Sequence, residues 1–346
     1  MKKVFFLLFL AVCGNIYGDT PQPSLSNRTA RTCDGYAGVF LTGEFIYWKA
    51  RQEELNTIGT FSLEQNGVDR FLDIKVKEID FEYSSGFKLG LGGNLPFDGW
   101  DLYVNWTHLH NNPVTTYRSS THNLINTERL EGGGAPFVTN HAKVSYDLML
   151  NIIDFDWGRR YFVSDTWSVR PSFGGKTFWI HQKIRYDYEN VQTIPFPNIG
   201  VITGFPEFLN ATNDYWGIGP YFAFEGKWNF GWGIGLLGKV SGAVVWGKFE
   251  QKARADQNDL EGGDGGPPTV TISHVHQEGN AHRVRPAAQM FVGLDWEWCL
   301  IPNRLSTQFR IGYETQFYWG QLLNLRGLEE SDLSVEGLTL MGRIDF

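Results

Sequence analysis

Two small constellations in this sequence combine residue types and spacings that could do chemistry. Asp154 and Asp156 stand two positions apart, so a strand would carry both carboxylates on one face, as general acid–base catalysis can use. His274 and His276, with Glu278 and His282 close behind, bring together nitrogen and oxygen donors of the kind that hold zinc. Each has a plainer reading. No histidine lies near the aspartates in sequence to share a proton, and histidines of a polar loop are ordinarily solvated. Walker-type and dinucleotide-binding motifs are absent, and Asn105-Trp106-Thr107 reads as strand sequence. The expectation is a protein with no catalytic residues, no bound metal and no cofactor.

The elements that would position such groups follow from composition. Of 346 residues 20% are charged and the net charge is −8, which offers nothing for nucleic acid to bind. The chain is 15% aromatic and holds 40 glycines, yet its mean hydropathy is −0.27. A membrane helix needs roughly 20 consecutive apolar residues, and no such run follows the first twenty positions. That leaves a soluble all-β sandwich or a membrane barrel whose strands alternate apolar-out and polar-in. Lys2 and Lys3 precede an apolar stretch from Val4 to Val12, and polar sequence follows from Asp19, the layout of a secretory signal cleaved after Gly18. Cys13 follows Leu10-Ala11-Val12, but Val12 is bulky for a lipoprotein signal. Residues 1–18 are thus expected to be a signal peptide, 19–37 a periplasmic segment and 38–346 a transmembrane barrel.

Period-2 alternation recurs along the chain. Trp100, Leu102, Val104 and Trp106 interleave with Asp101, Tyr103, Asn105 and Thr107; Leu305, Thr307, Phe309, Ile311 and Tyr313 interleave with Gln308, Arg310 and Glu314. Such runs predict about ten antiparallel up-and-down strands, with 12 possible: near 38–50, 72–93, 99–110, 142–163, 166–187, 214–229, 231–252, 282–300, 304–323 and 333–346. Short turns at 94–99, 164–166, 229–231 and 300–303 alternate with long connections at 51–71, 111–141, 188–213 and 253–281, and a shorter one at 324–332. Short periplasmic turns and long extracellular loops are the asymmetry of outer-membrane barrels, and an even count puts both termini in the periplasm. Aromatic residues at strand ends, Tyr47, Trp48, Trp100, Trp106, Trp157, Trp167, Trp179, Trp216, Trp228, Trp246, Trp296, Trp298 and Trp319 among them, predict two interfacial girdles. In the fourth strand the apolar phase changes from even to odd positions after Ile152, which predicts a β-bulge near Ile152–Ile153 that turns Asp154 and Asp156 into the lumen.

Read literally, the alternation lines the lumen with Glu44, Lys88, Asp101, Asp147, Asp154, Asp156, Arg170, Lys176, Glu225, Lys227, Lys239, Arg285, Asp295, Glu297, Arg310, Glu314 and Arg343. Both signs are mixed, so strong ion selectivity is not expected. Facing charges would set a transverse field across a wet pore; alternatively they pair and fill a narrow barrel, since about 8 strands leave room only for side chains. Cys33 and Cys299 both fall at the periplasmic end, where a disulfide between them or two free thiols are the alternatives.

The chain stops on an alternating strand in which Leu338, Leu340, Ile344 and Phe346 are apolar, resembling the C-terminal signal read by the barrel assembly machinery. Gly38-Val39-Phe40-Leu41-Thr42-Gly43-Glu44-Phe45-Ile46-Tyr47-Trp48, Phe87-Lys88-Leu89-Gly90-Leu91-Gly92 and Arg170-Pro171-Ser172-Phe173-Gly174-Gly175-Lys176 resemble the Legionella-type major outer-membrane protein family, whose MOMP-like pore-forming members also occur in chlamydia-related bacteria. Trp216-Gly217-Ile218-Gly219-Pro220, Gly312-Tyr313-Glu314-Thr315-Gln316 and Gly337-Leu338-Thr339-Leu340 extend the resemblance over nearly the whole mature chain. It implies an outer-membrane pore and brings no catalytic residues. The expected function is passive diffusion of small hydrophilic solutes with weak selectivity. The alternative is a surface structural protein or adhesin that acts through its loops on a closed barrel. Expected partners are outer-membrane lipid and the assembly machinery; a homo-oligomer and host or envelope partners at the loops stay open.

Overall fold

In the computed structural model the residues described are 38–52, 55, 58–66, 69–95, 99–126, 137–193, 201–261, 269–301, 305–322 and 331–346. The expected signal peptide, the segment 19–37 and Cys33 lie outside them. Among the described residues the strands are β1 (Val39–Gln52), β2 (Ile58–Asn66), β3 (Asp69–Lys77), β4 (Tyr83–Asn94), β5 (Trp100–Asn111), β6 (Val114–Arg118), β7 (Leu124–Asn126), β8 (Phe137–Thr139), β9 (His141–Arg159), β10 (Tyr161–Phe162), β11 (Trp167–Glu189), β12 (Gln192–Thr193), β13 (Glu207–Gly231), β14 (Ile234–Glu261), β15 (Thr269–Ile301), β16 (Leu305–Leu322) and β17 (Ser331–Asp345).

Ten of these form a closed antiparallel barrel in the order β1, β4, β5, β9, β11, β13, β14, β15, β16, β17. The ring shuts where β1 pairs with β17, from Phe40↔Asp345 to Gln52↔Leu333, and the Phe346 amide donates to the Val39 carbonyl at 2.9 Å. Closure leaves no edge in the membrane zone, which is what lets strands cross lipid at all. The tightest periplasmic turn, Gly231-Trp232-Gly233, has φ of 99°, 55° and 78°, a left-handed path that two glycines make accessible. The connections on the opposite side contribute a second sheet, β12-β8-β7-β2-β3. The expected strand 72–93 is therefore two elements: its first part belongs to β3 of this second sheet, and only β4 joins the wall.

An apolar belt explains the outward face. On β13 it runs from Trp228 through Phe224, Phe222 and Ile218 to Trp216, all exposed. That span is about 40 Å along the strand, or about 30 Å along the membrane normal at a 45° tilt, the height of a bilayer core. Past the upper aromatics the outward residues turn polar at once: Tyr47 is followed by Lys49, Trp106 by His108, Trp179 by His181, Trp246 by Lys248, and Trp216 is preceded by Asp214. Trp48, expected in this girdle, instead points inward and is wholly buried. The strands do not stop at the upper girdle. β11, β13, β14 and β15 have 23, 25, 28 and 33 residues, where crossing needs roughly 9–11. Much of the expected loops 188–213 and 253–281 is therefore wall, standing above the membrane as continuous hairpin.

Above the girdle the polarity of the two faces inverts. On β9 the even residues Val144, Tyr146, Leu148, Leu150 and Ile152 are buried inside, and lower down the same even row carries Asp154 and Asp156. Pairing is regular throughout, Thr177↔Ile153 next to Phe178↔Ile152 on one side and Trp106↔Ile153 next to Thr107↔Ile152 on the other. The expected bulge is absent. The sequence phase changes because the strand leaves lipid, so water takes the odd face while an apolar filling takes the even one. The same inversion corrects Asp147, which faces outward, bonded to His110 at 2.9 Å, and not into the lumen. We predict that a membrane-impermeant maleimide labels Asp147→Cys on intact cells and leaves Asp156→Cys unlabelled; equal labelling of both would refute this orientation.

Candidate functional site

Within the membrane zone the inward rows form a chamber of about 190 Å³. Thirteen residues expected in the lumen line it: Glu44, Lys88, Asp101, Asp154, Asp156, Arg170, Glu225, Lys227, Lys239, Glu297, Arg310, Glu314 and Arg343. Lys176 and Asp295 also point inward but are buried behind this lining, Lys176 against Asp154 at 2.8 Å and Asp295 against Arg310 at 2.8 Å. Arg285 faces inward higher up, over the Phe249 ring at 5.5 Å. Asp345, Arg160, Tyr103 and Gln289 are among the other residues that line it. Asp345 shares the inward row of Arg343 and was legible from alternation; Arg160 sits between β9 and β10, where strand periodicity carries no signal.

The charges reach across the barrel to one another. Arg170 on β11 donates to Asp101 on β5 at 2.9 Å and to Asp156 on β9 at 2.8 Å. Arg160 donates to Glu225 at 2.9 Å, and Arg310 lies 3.6 Å from the same carboxylate. Lys88 donates to both Glu314 oxygens at 2.7 Å, with Glu44 at 3.6 Å. Lys227 pairs with Asp295 and with Glu297, the latter at 2.6 Å. Lys239 is the loosest, 3.9 Å from Asp156, with its side chain 22% exposed. Carboxylates and cations are nearly balanced, so the chamber is polar with little net charge. Asp154 and Asp156, the pair weighed as an acid–base site, are each held by a cation.

Above the chamber the lumen is closed by the wall's own side chains. Phe178 on β11 touches Tyr215 on β13 and, across the barrel, Tyr318 on β16, with ring centroids 5.4 and 5.3 Å apart; Tyr215 meets Phe249 at 4.3 Å. Trp48 joins this layer, its indole donating to Thr339 at 3.1 Å while the Lys88 ammonium lies 4.8 Å from its ring centroid. Next comes a layer of neutral amides. Gln182 on β11 donates to Gln52 on β1 at 2.6 Å, Asn213 donates to Gln182 at 2.8 Å, and Gln251 donates to Asn213 at 3.0 Å. These buried groups satisfy one another, as burial requires. The second sheet and the segments beside it then cap the barrel: Ile58, Leu124 and Phe137 of the sheet, with Leu55, Ile79 and Phe81 next to it, belong to the same apolar core as Tyr146, Ile184 and Tyr186. None of this closure was visible in the sequence, because it rests on contacts between opposite walls.

The remaining candidates separate. His274 pairs with Asp256 at 2.7 Å, His276 with Glu278 at 3.3 Å, and the His282 ring stacks on Trp246 with centroids 5.6 Å apart. Among the described residues no three metal-binding side chains converge. Cys299 is disulfide-bonded, while Cys33 lies outside the described residues. Leu338, Leu340, Ile344 and Phe346 face outward from the closing strand.

Solved barrels are similar only in outline. The outer membrane protease OmpT from Escherichia coli is 7% identical, with 89% of this chain and 96% of that one covered and a TM-score of 0.39. The CymD monoaromatic hydrocarbon channel is 9% identical over 90% of this chain and 89% of its own, at a TM-score of 0.30. Ail, the attachment invasion locus protein of Yersinia pestis, is 10% identical over 90% of this chain and 100% of its own, at 0.23. No curated protein matches the sequence. Residues 37–346 match the family described as Legionella pneumophila major outer membrane protein precursor, and with its closed ten-stranded barrel and lipid-facing belt the chain belongs to that family of the bacterial outer membrane.

Proposed function

We propose that this protein is a gated, porin-like channel for small hydrophilic solutes, with the charged chamber as the membrane section of the path. The observation that carries the proposal is the chamber itself. It is a polar space inside the membrane zone, lined by ionisable groups of both signs and reaching the periplasmic rim at Asn94, Asn229 and Ser306. A barrel that needed only to be filled would be served by apolar side chains, whose burial is cheaper than that of ions. Balanced charge supports weak selectivity, and a hydrophobic constriction above a wet vestibule is a known way to gate by dewetting. Asp154 and Asp156 take no catalytic role in this reading.

Planar-bilayer recording of the purified protein tests it. Discrete, low-conductance openings are expected, with a reversal potential near zero in a salt gradient. Lys239→Glu, which changes the least constrained cation, is expected to shift that potential toward cation preference. A bilayer that contains folded protein and shows no openings at any voltage would sink the channel reading.

The apolar layer favours a second reading, a shut barrel that serves the cell surface through its extracellular half. Loss of attachment to host cells on shortening the β14–β15 hairpin, with no conductance in the intact protein, would decide for it. In either case we propose outer-membrane lipid as the partner of the belt, and the assembly machinery as the reader of the last strand.

A further inference from the structure

The tall part of the wall has two free-standing sides, and the chain treats them differently. On one side β5 leaves β9 at Asn111↔Leu148, and β6 at once takes its place, from Val114↔Ser145 to Arg118↔His141. On the other side β16 reaches β15 only up to Ala287↔Tyr318, while β15 continues its pairing with β14 to Glu261↔Thr269. Residues 269–286 are therefore hydrogen-bonded along one edge alone, and among the described residues no strand pairs with the other. This edge is about 60 Å long, and about half of its residues point their N–H and C=O groups into the open side.

Natural sheets blunt exposed edges with lysines, prolines, bulges or short strands. This one has Pro286 at its foot, an unbroken register with β14, and no lysine from Thr269 to Pro286. From Thr269 down to His282 it stands in water, because His282 is level with Lys248, just past the Trp246 girdle. Along it lie Arg283, His274, His276 and His282 against the single carboxylate of Glu278, while Arg285 turns inward over Phe249.

We propose that the open edge of β15 between Thr269 and Pro286 docks an acidic, extended peptide segment of another molecule as an added antiparallel strand. Main-chain hydrogen bonds supply the affinity in such augmentation, and the side chains flanking the edge supply the choice of partner. A second copy of this chain does not fit. Two barrels in one membrane run β15 in the same direction, and self-pairing would set arginine and histidine rows beside each other.

The test uses the full-length protein in lipid nanodiscs and three fluorescent synthetic peptides: an alternating Glu-Val peptide, its Lys-Val counterpart, and the Glu-Val peptide N-methylated on alternate residues. Saturable binding of the Glu-Val peptide is expected, together with slowed hydrogen exchange of amides in 269–286. Both other peptides should bind at least roughly tenfold more weakly, the sum of several cross-strand charge pairs or of the lost donors. His276→Glu with Arg283→Glu should invert the preference toward Lys-Val. Equal binding of all three peptides, binding of none, or slow exchange of these open-edge amides in the free protein would overturn the proposal.

Discussion

Removing residues 55–79 together with Phe178→Ala raises single-channel conductance by roughly tenfold over the intact protein, because it takes away both the cap and the ring that spans the lumen beneath it. Neither change alone is expected to do so. Deleting 55–79 and joining the ends with a short glycine–serine turn removes Leu55, Ile58 and Ile79 from the cap. The rings of Phe178, Tyr215, Phe249 and Tyr318 still meet across the lumen below, with Trp48 beside them. Phe178→Ala alone breaks the aromatic layer, whose contacts to Tyr215 and Tyr318 it supplies, but the cap above stays packed. The double variant should therefore exceed the sum of the single ones. Heat-modifiable migration in gels, which reports a folded barrel, checks that all three proteins are intact. A folded double variant with unchanged conductance would show that the closing layer is not the gate, and the shut-barrel reading would then stand.

Asp295→Ala is expected to cost about 3 kcal/mol of barrel stability, since it leaves buried cations without their acceptor. The Asp295 side chain is wholly buried and takes hydrogen bonds from Arg310 at 2.8 Å, from Gln308 at 2.6 Å and from Lys227. Lys227 retains Glu297, and Arg310 retains Glu225, which keeps the loss toward the lower end of the range for a broken buried pair. Asp295→Asn keeps the shape and one acceptor, so it should lose less. The shift of the urea unfolding midpoint in lipid vesicles reads the difference. A value within about 0.5 kcal/mol of the intact protein, as for a surface substitution, would mean that the cluster is solvated and the chamber wider than its cavity suggests.

The sequence alone determined the all-β class, the ring of about ten strands and the apolar row of the last strand. Lipid makes this possible, because it forces every crossing strand to show apolar residues at each second position, a pattern local enough to read. The same locality limited the reading. Alternation gives the phase of a strand but not which phase is inside, since that depends on height relative to the bilayer. On β9 the alternation by itself points the row Val144 to Ile152 at lipid, yet it fills the lumen, and Asp147 beside it meets water outside. One strand crosses two solvents, and its two faces exchange polarity where it leaves the first.

Tertiary structure alone decided the rest. Tyr318 meets Phe178 from the opposite wall, Gln52 meets Gln182 across 130 positions of sequence, and β2 and β3 fold over the mouth with β7, β8 and β12. Such contacts depend on how wide ten strands close and on where each connection returns, and neither is encoded within a few residues of the groups involved. The charged groups of the lumen were named by sequence nearly as a set. That they pair into a nearly neutral chamber, closed above by aromatic rings, follows only from the diameter of the barrel that brings them face to face.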